Sequence, residues 1–334
     1  MQKEVKLSKI SIIVPAYNAV ASLEYSVNSA LSQDYENIEI IIVNDGSTDE
    51  TSKIAHEIEH KNKNVKVVDQ ENRGLGEARN SGVLVASGEY IIFLDSDDML
   101  LPWSVSSMYS IAEKESADIV CGAMLETSRP TKEYNRLTKE KPSPVAKRLK
   151  DGFEDLLYMK VVPSAHAKLY KASLIRDEKF SKIRHAEDLE YNLRMFRKAK
   201  NICALESPVI EIYALTSGSM MRSAYNDKKH EEISILQGLE KDYNKTKNDD
   251  YRKAYAAGIF FHSIGLARLI FADDEAKKKY AEDYKLLKGY IKKYSRSVFG
   301  NKKALRAQRR YAFVASLSVT ALFFLMRLIE RKNQ

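Results

Sequence analysis

The chain has 334 residues, 44% of them apolar and 30% charged, with a formal net charge of +8. That mix excludes a disordered chain, a collagen-like repeat and a polytopic membrane protein, and the length allows two domains or one large α/β domain with an appendage. Two cysteines, Cys121 and Cys203, are too few for a disulfide scaffold, so a reducing cytoplasmic setting is expected.

Met1–Lys9 is polar and the apolar run after it stops at Pro15, which predicts no signal peptide. Ile10–Val14, Ile38–Val43, Val65–Asp69 and Tyr90–Asp95 read as strands whose nearly continuous apolarity fits parallel strands covered on both faces. Ser22–Gln33, Asp49–Glu59 and Leu75–Ala86, between them, read as helices. The alternation predicts an α/β fold with an open, mostly parallel sheet flanked by helices. Ligands of such sheets bind beyond the carboxyl ends of the strands. Arg129–Pro144, with three prolines and many lysines, reads as a mobile excursion from the compact fold. Phe153–Lys160 and Glu187–Ala199 read as helical and His166–Lys171 as extended. Helices are then expected near 226–245, 250–272 and 275–294, and a last one at about 303–330.

Unusual residues gather where the strands end. The first strand runs into Val14-Pro15-Ala16-Tyr17-Asn18, and the second into Asn44-Asp45-Gly46-Ser47-Thr48-Asp49. Gly46 permits an unusual backbone angle and Ser47 with Glu50 reads as a capping box, but neither needs the carboxylate of Asp45. After the third strand comes Asn72-Arg73-Gly74-Leu75-Gly76-Glu77-Ala78-Arg79-Asn80, whose glycines at a loop-to-helix junction suit an anion. The fourth strand emerges into Asp95-Ser96-Asp97-Asp98. Three carboxylates in four positions repel one another and call for a cation, and Mg²⁺ uses one or two carboxylates with substrate phosphates. Strand alternation would put Asp95 and Asp97 on one side. A helix cap before Leu101-Pro102-Trp103 would need only one of the three. His185-Ala186-Glu187-Asp188 opens a later helix, where acids also favour the macrodipole by roughly 0.3–1 kcal/mol.

Taken in order, these five motifs resemble family 2 glycosyltransferases, inverting enzymes of the GT-A (Rossmann-like) fold that use nucleotide-sugar donors. The resemblance is close over 8–122 and looser over 160–220. It implies that Pro15, Ala16, Tyr17 and Asn18 line the nucleotide pocket, that Asp45 contacts the base, and that Arg73 sits near base or diphosphate. It implies Asp95 near the ribose with Ser96 beside it, Asp97 as ligand of Mg²⁺ or Mn²⁺, Asp98 as a partner behind the metal, and Asp188 as general base. The donor would be a nucleotide-sugar, UDP-linked by expectation, and the acceptor a glycan or lipid-linked glycan of a bacterial capsule, exopolysaccharide or teichoic acid. The late aromatic-Arg element of the family is absent: Tyr213 has no Arg beside it, and Arg222 is a substitute or a surface residue. Ser164–Tyr170 resembles the acceptor-bordering segment, where His166 and Lys168 touch acceptor or phosphate, or are framework.

The expected division is a GT-A domain over 1–222, with a nucleotide-sugar half at 1–122 and an acceptor half at 123–222, and a helical basic region at 223–334. Residues 1–125 hold 10 basic and 20 acidic side chains, a balance of −10, so the remainder carries +18. Ten basic residues and no acid lie between Tyr284 and Arg310. Ala312–Met326 follows without charge, and its 15 residues reach roughly 22 Å, short of a ~30 Å bilayer core. The region reads as a helix packed on the protein, or as one lying on an anionic membrane surface through 284–330, at the cytoplasmic face of the cell membrane. A sugar nucleotidyltransferase would want a different glycine-rich signature near the first strand, and an inactive assembly subunit has no need of Asp95, Asp97 and Asp188 together. Nucleic acid is not expected as a partner of an acidic sheet domain.

Overall fold

A computed structural model gives the fold of residues 7–139, 141–215 and 223–332. Every residue of β1 (Ile10–Ala16) is buried, as an interior parallel strand requires. After it come α1 (Leu23–Leu31), β2 (Ile38–Asp45), α2 (Thr51–Lys61), β3 (Val65–Gln70), α3 (Leu75–Val85) and β4 (Tyr90–Phe93). β1 pairs in parallel with β2 and β4, and β2 with β3, so all four strands end at one edge of the sheet. Ile10, Ile12, Val14, Ile40, Ile42 and Ile92 are fully inaccessible in this core, each worth about 1.5–3 kcal/mol on burial. A side chain at Gly82 would overlap Ile13, so the glycine is what lets α3 lie close against β1.

β5 (Met99–Leu100), α4 (Ser104–Glu115), β6 (Ile119–Thr127), α5 (Pro130–Leu137), β7 (Val145–Arg148), α6 (Gly152–Leu157), β8 (Lys168–Lys171), α7 (Ala172–Ile175), α8 (Glu187–Lys198) and β9 (Ile202–Ala214) follow. The nine-stranded sheet has the order β3-β2-β1-β4-β8-β6-β9-β5, with β7 on β9. β8 runs antiparallel between β4 and β6, with Leu169 opposite Ile92. The residues just before β8 therefore pass the carboxyl end of β4, where the acidic motif begins.

The described residues form two compact units. One draws on Met1–Gly152, Pro163–Lys182 and Glu187–Ser219, the other on Phe153–Val162, Ile183–Ala186 and Met220–Gln334. The second contains α9 (Asp227–His230), α10 (Glu232–Lys245), α11 (Asp249–Phe271), α12 (Asp274–Lys279), α13 (Ala281–Gly300), α14 (Arg306–Leu317) and α15 (Val319–Lys332). α11 is long and apolar enough to cross a membrane, but 67% of its apolar window is buried inside the unit, where it packs on α10 and α13. It is a core helix.

Three local expectations are corrected, and a fourth gains an element. Arg129–Pro144 contains a helix: Pro130 opens α5, a position where its missing N–H costs nothing, no residue of α5 is buried, and β7 pairs with β9 just beyond. The capping box does not form, because α2 starts at Thr51 and Ser47 Oγ instead accepts from the Asn18 amide. Asp95 and Asp97 are not placed by strand alternation. β4 ends at Phe93 and the acids lie in a turn closed by the Asp98 amide on the Asp95 carbonyl at 3.0 Å. The last helix is two helices, broken at Ser318, whose Oγ accepts from the Ala321 amide.

Candidate active site

At the end of β2, Asp45 is buried and its carboxylate closes the following loop. Oδ1 accepts from Gln70 Nε2 at 2.6 Å and from the Arg73 amide at 2.9 Å, and Oδ2 from the Gly74 amide at 2.8 Å. Asp45 thus holds the 70–74 loop at the strand edge. Gly46 has φ +67°, and a Cβ there would stand 2.5 Å from the Asn72 amide nitrogen. The loop and the strand end approach closely because position 46 is glycine. The Arg73 side chain is exposed. Beside it, Pro15 and Ala16 are buried at the end of β1, Tyr17 is exposed, and Asn18 Oδ1 accepts from the Thr48 amide at 2.8 Å. The first and second strand ends are therefore hydrogen-bonded into one rim.

Arg79 is the centre of the arrangement. It sits on the buried face of α3 and is fully inaccessible. One guanidinium nitrogen donates to Asp95 Oδ1 at 2.8 Å, and the other to Asp188 Oδ1, with Glu187 Oε1 at 3.5 Å. The Phe180 ring lies 5.4 Å from the guanidinium carbon. Burial opposes the charge of Arg79, but Asp188, Asp95 and Glu187 outweigh it and bind the proton more tightly. In turn Arg79 holds Asp95 below the usual carboxylate range against the opposing effect of burial. Burial and the neighbouring Asp188 push Glu187 up to about 7, despite Arg79. Asp188 Oδ2 accepts from the Ala165 amide at 2.8 Å, so the segment before β8 fixes its second oxygen.

The acidic turn divides by depth. Ser96 and Asp97 are half-buried at the rim, and the Asp97 carboxylate has no hydrogen-bond partner on another described residue. Burial and Asp95 raise its pKa. Asp98 is fully buried: Oδ1 accepts from the Ala214 amide at 2.8 Å, while Oδ2 has no hydrogen-bond partner among the described residues and lies 4.0 Å from His166 Nδ1. Burial, Glu211 and Asp95 push Asp98 up to about 9. His166 Nδ1 bonds Glu211, whose other oxygen accepts from the Ala167 amide at 2.9 Å, and the ring stacks on Tyr213. Burial lowers His166, but Glu211, Asp95 and Asp98 prevail and bring it to about 9. Lys168 is buried, its Nζ donating to the Ser164 carbonyl at 2.6 Å. His166 and Lys168 thus have framework partners. Ligand atoms of Asp95, Asp98 and His166 lie within 4.8 Å of one another, a grouping that could hold a cation and that omits Asp97.

The structure therefore gathers Asp45, Asp95, Ser96, Asp97 and Asp188 with the first strand end in one unit, and Arg222 lies outside the described residues. Sequence reasoning gave no role to Arg79 or Glu211. Arg79 shares a helical stripe with Gly76 and Val83, and an arginine on such a stripe signals carboxylates elsewhere in the fold. Glu211 carries no such signal.

Residues 11–184 match the family described as glycosyl transferase family 2. EpsH of Bacillus subtilis is 30% identical over 263 residues, covering 76% of this chain and 75% of EpsH. The GalNAc(5)-diNAcBac-PP-undecaprenol beta-1,3-glucosyltransferase of Campylobacter jejuni is 24% identical, over 75% of this chain and 80% of its own. The crystal structure of S. aureus TarS 1-349 in complex with UDP-GlcNAc superposes with a TM-score of 0.62, covering 98% of this chain and 92% of that one at 20% identity, a likeness of fold. On the family match and the EpsH identity together, this chain belongs to glycosyltransferase family 2 and has a GT-A-like fold.

Proposed function

We propose that the protein transfers a sugar, with inversion, from a UDP-linked donor to a glycan acceptor of a bacterial surface polysaccharide. The observation that carries the reading is that Asp95 and Asp188, from segments far apart in sequence, grip the same buried guanidinium of Arg79. A donor-side carboxylate and a base are thereby held in fixed relation, the condition for a positioned displacement. TarS was crystallised with UDP-GlcNAc, and the name of the Campylobacter relative carries an undecaprenol-linked acceptor. Both favour a UDP-sugar and a lipid-linked glycan here.

In this reading Pro15, Ala16, Tyr17 and Asn18 line the nucleotide pocket. Asp45 fixes the 70–74 loop against the base, and Arg73 extends from that loop toward base or diphosphate. Asp95 and Ser96 meet the ribose. Mg²⁺ or Mn²⁺ is assigned to Asp97, the rim carboxylate without a hydrogen-bond partner on another described residue, and would supply positive charge to the departing diphosphate. In the deeper grouping Asp95 already answers Arg79, and His166 answers Glu211, so those side chains serve the turn that presents Asp97.

Asp188 takes the proton of the acceptor hydroxyl as that oxygen attacks the anomeric carbon. Its two hydrogen bonds fix the carboxylate plane, and each oxygen keeps a second lone pair for the hydroxyl. A positioned base of this kind contributes about 10²–10⁴-fold. With one base and no covalent nucleophile in the scheme, direct displacement inverts the centre. The domain over 1–222 carries this chemistry, and the region 223–334 holds the enzyme at the inner face of the cell membrane through 284–330. The test is a panel of UDP-, GDP- and dTDP-sugars with Mn²⁺ or Mg²⁺, reading nucleoside diphosphate release. Metal-dependent release from one donor supports the scheme. Silence across the panel, with no nucleotide-induced thermal shift, favours an inactive assembly subunit.

A further inference from the structure

The cationic stretch 284–310 is less free than its composition suggests. Lys293 pairs with Glu240 at 2.7 Å, and Lys303 with Glu154 at 2.8 Å and Asp250 at 3.2 Å. The unusual surface lies further on. In α14, Gln308, Ala312 and Ala315 form the buried stripe, while Arg306, Arg310, Phe313 and Leu317 are exposed at i, i+4, i+7 and i+11, which is one face of a helix. Phe313 is 47% and Leu317 74% exposed. That face is two arginines followed by two large apolar side chains.

α15 is apolar on opposite sides. Leu322 and Phe323 are fully buried, with Phe323 against Phe271, and they seat the helix on its own unit. Ala321, Phe324, Leu325 and Leu328 share the opposite face and are all exposed. A helix with two apolar faces is stable in water only when both are covered. Ser318 breaks the chain between α14 and α15, and 14 residues of α15 reach roughly 21 Å, so neither helix spans a ~30 Å bilayer core.

We propose that the exposed stripes of α14 and α15 dock on an anionic lipid surface, lying in the interface rather than crossing it. Charge complementarity selects this occupant. No acid occurs between Asp283 and Glu330, and Arg306, Arg310 and Arg327 stand exposed next to the apolar residues, where arginine stems lie along acyl chains while their heads reach phosphates. A second copy on the same face would bring like charges together around a two-fold axis. For its place in the reaction the proposal rests on the reading above, in which the acceptor is lipid-linked.

The full chain is sedimented with vesicles of phosphatidylglycerol mixed equally with phosphatidylcholine, and with phosphatidylcholine alone. Binding is expected to the anionic vesicles, weakening as salt rises. Leu325→Ser with Leu328→Ser should reduce it at least about tenfold with an unchanged melting temperature, since both side chains are exposed. Arg306→Glu with Arg310→Glu should abolish the preference for anionic lipid. Wild-type protein that ignores anionic vesicles, or a double-serine variant that binds as well as wild type, overturns the proposal. So does a wild-type dimer in gel filtration that the double-serine variant converts to monomer, because a second copy then covers the face. Donor turnover in solution reads the catalytic site separately: turnover without vesicle binding overturns the docking surface, and the membrane attachment proposed above with it, but leaves the catalytic reading standing, and vesicle binding without turnover upholds the docking surface while the catalytic reading falls.

Discussion

Replacing Arg79 with methionine keeps most of the side-chain volume in place and removes the charge. In the native site one inaccessible guanidinium answers Asp95, Asp188 and Glu187. Removing one partner of a buried ionic group costs about 3–5 kcal/mol, because the opposite charge is left without compensation. The side chains of Asp95 and Asp188 are 23% and 21% exposed and so recover part of their hydration, while Glu187, already raised to about 7, can take a proton. Both effects favour the lower limit, about 3 kcal/mol. For a unit of this size that is a fall in melting temperature of roughly 6–12 °C. The measurement is a calorimetric scan of Arg79→Met and Arg79→Lys beside wild type at pH 8 and pH 5. Lysine, a point charge without a planar fork, should fall between the two, and the methionine deficit should shrink at pH 5, where the orphaned carboxylates accept protons more readily. Donor binding and transfer should fail together in Arg79→Met. A methionine variant that melts within about 2 °C of wild type at pH 8 would show that Arg79 does not hold this site.

Other substitutions separate the remaining roles. Asp97→Ala should abolish metal-dependent nucleotide binding while His166→Gln retains it, and the reverse result in a Mn²⁺ titration would place the cation among Asp95, Asp98 and His166. Asp188→Asn should bind donor but transfer about 10²–10⁴-fold more slowly, as read by single-turnover kinetics. Gly46→Ala adds a side chain at φ +67° against the backbone of Asn72, so donor affinity should drop with a stability loss of about 1–2 kcal/mol. In the helical unit, burial works against the charge of Glu232, but His185 and His262 hold its carboxyl down to about 2 from 4.5. The folded state thus binds fewer protons than the unfolded one, and roughly 3 kcal/mol of stability, complete above about pH 4.5, is lost as pH falls toward 2. Glu232→Gln should flatten that acid limb in urea titrations.

The parallel half of the sheet was readable because its strands are apolar runs bounded by turn residues, and an interior parallel strand has no polar face to confuse the pattern. The acidic turn was readable as chemistry, but its depth was not. Asp97 at the rim and Asp98 beneath it are neighbours in the chain, and it is distant residues, the Ala214 amide 116 positions away and His166, that mark Asp98 as buried. The role of Arg79 is hidden in the sequence because helical patterning assigns a charged side chain to the outside. The far half of the sheet escaped for another reason. β6 pairs with β9 across some eighty residues, and no local signal reports a partner so distant. The break at Ser318 was hidden inside an uncharged run, where a serine that caps a helix looks like one that continues it.

The order in which Arg79 meets its partners has a consequence for synthesis. The strands β1 to β4 and α3 between them come from the first 93 residues and pair mostly with sequence neighbours, so this half-sheet can assemble early. Asp188 follows Arg79 by 109 positions. At about 5–20 residues per second, that is roughly 5–20 s during which the nascent sheet holds a guanidinium on its interior face with only Asp95 to answer it. A chain stopped near residue 122 would remain in that state, so residues 1–122 are not a module to be expressed or grafted alone. Their buried guanidinium is fully answered only when α8 arrives.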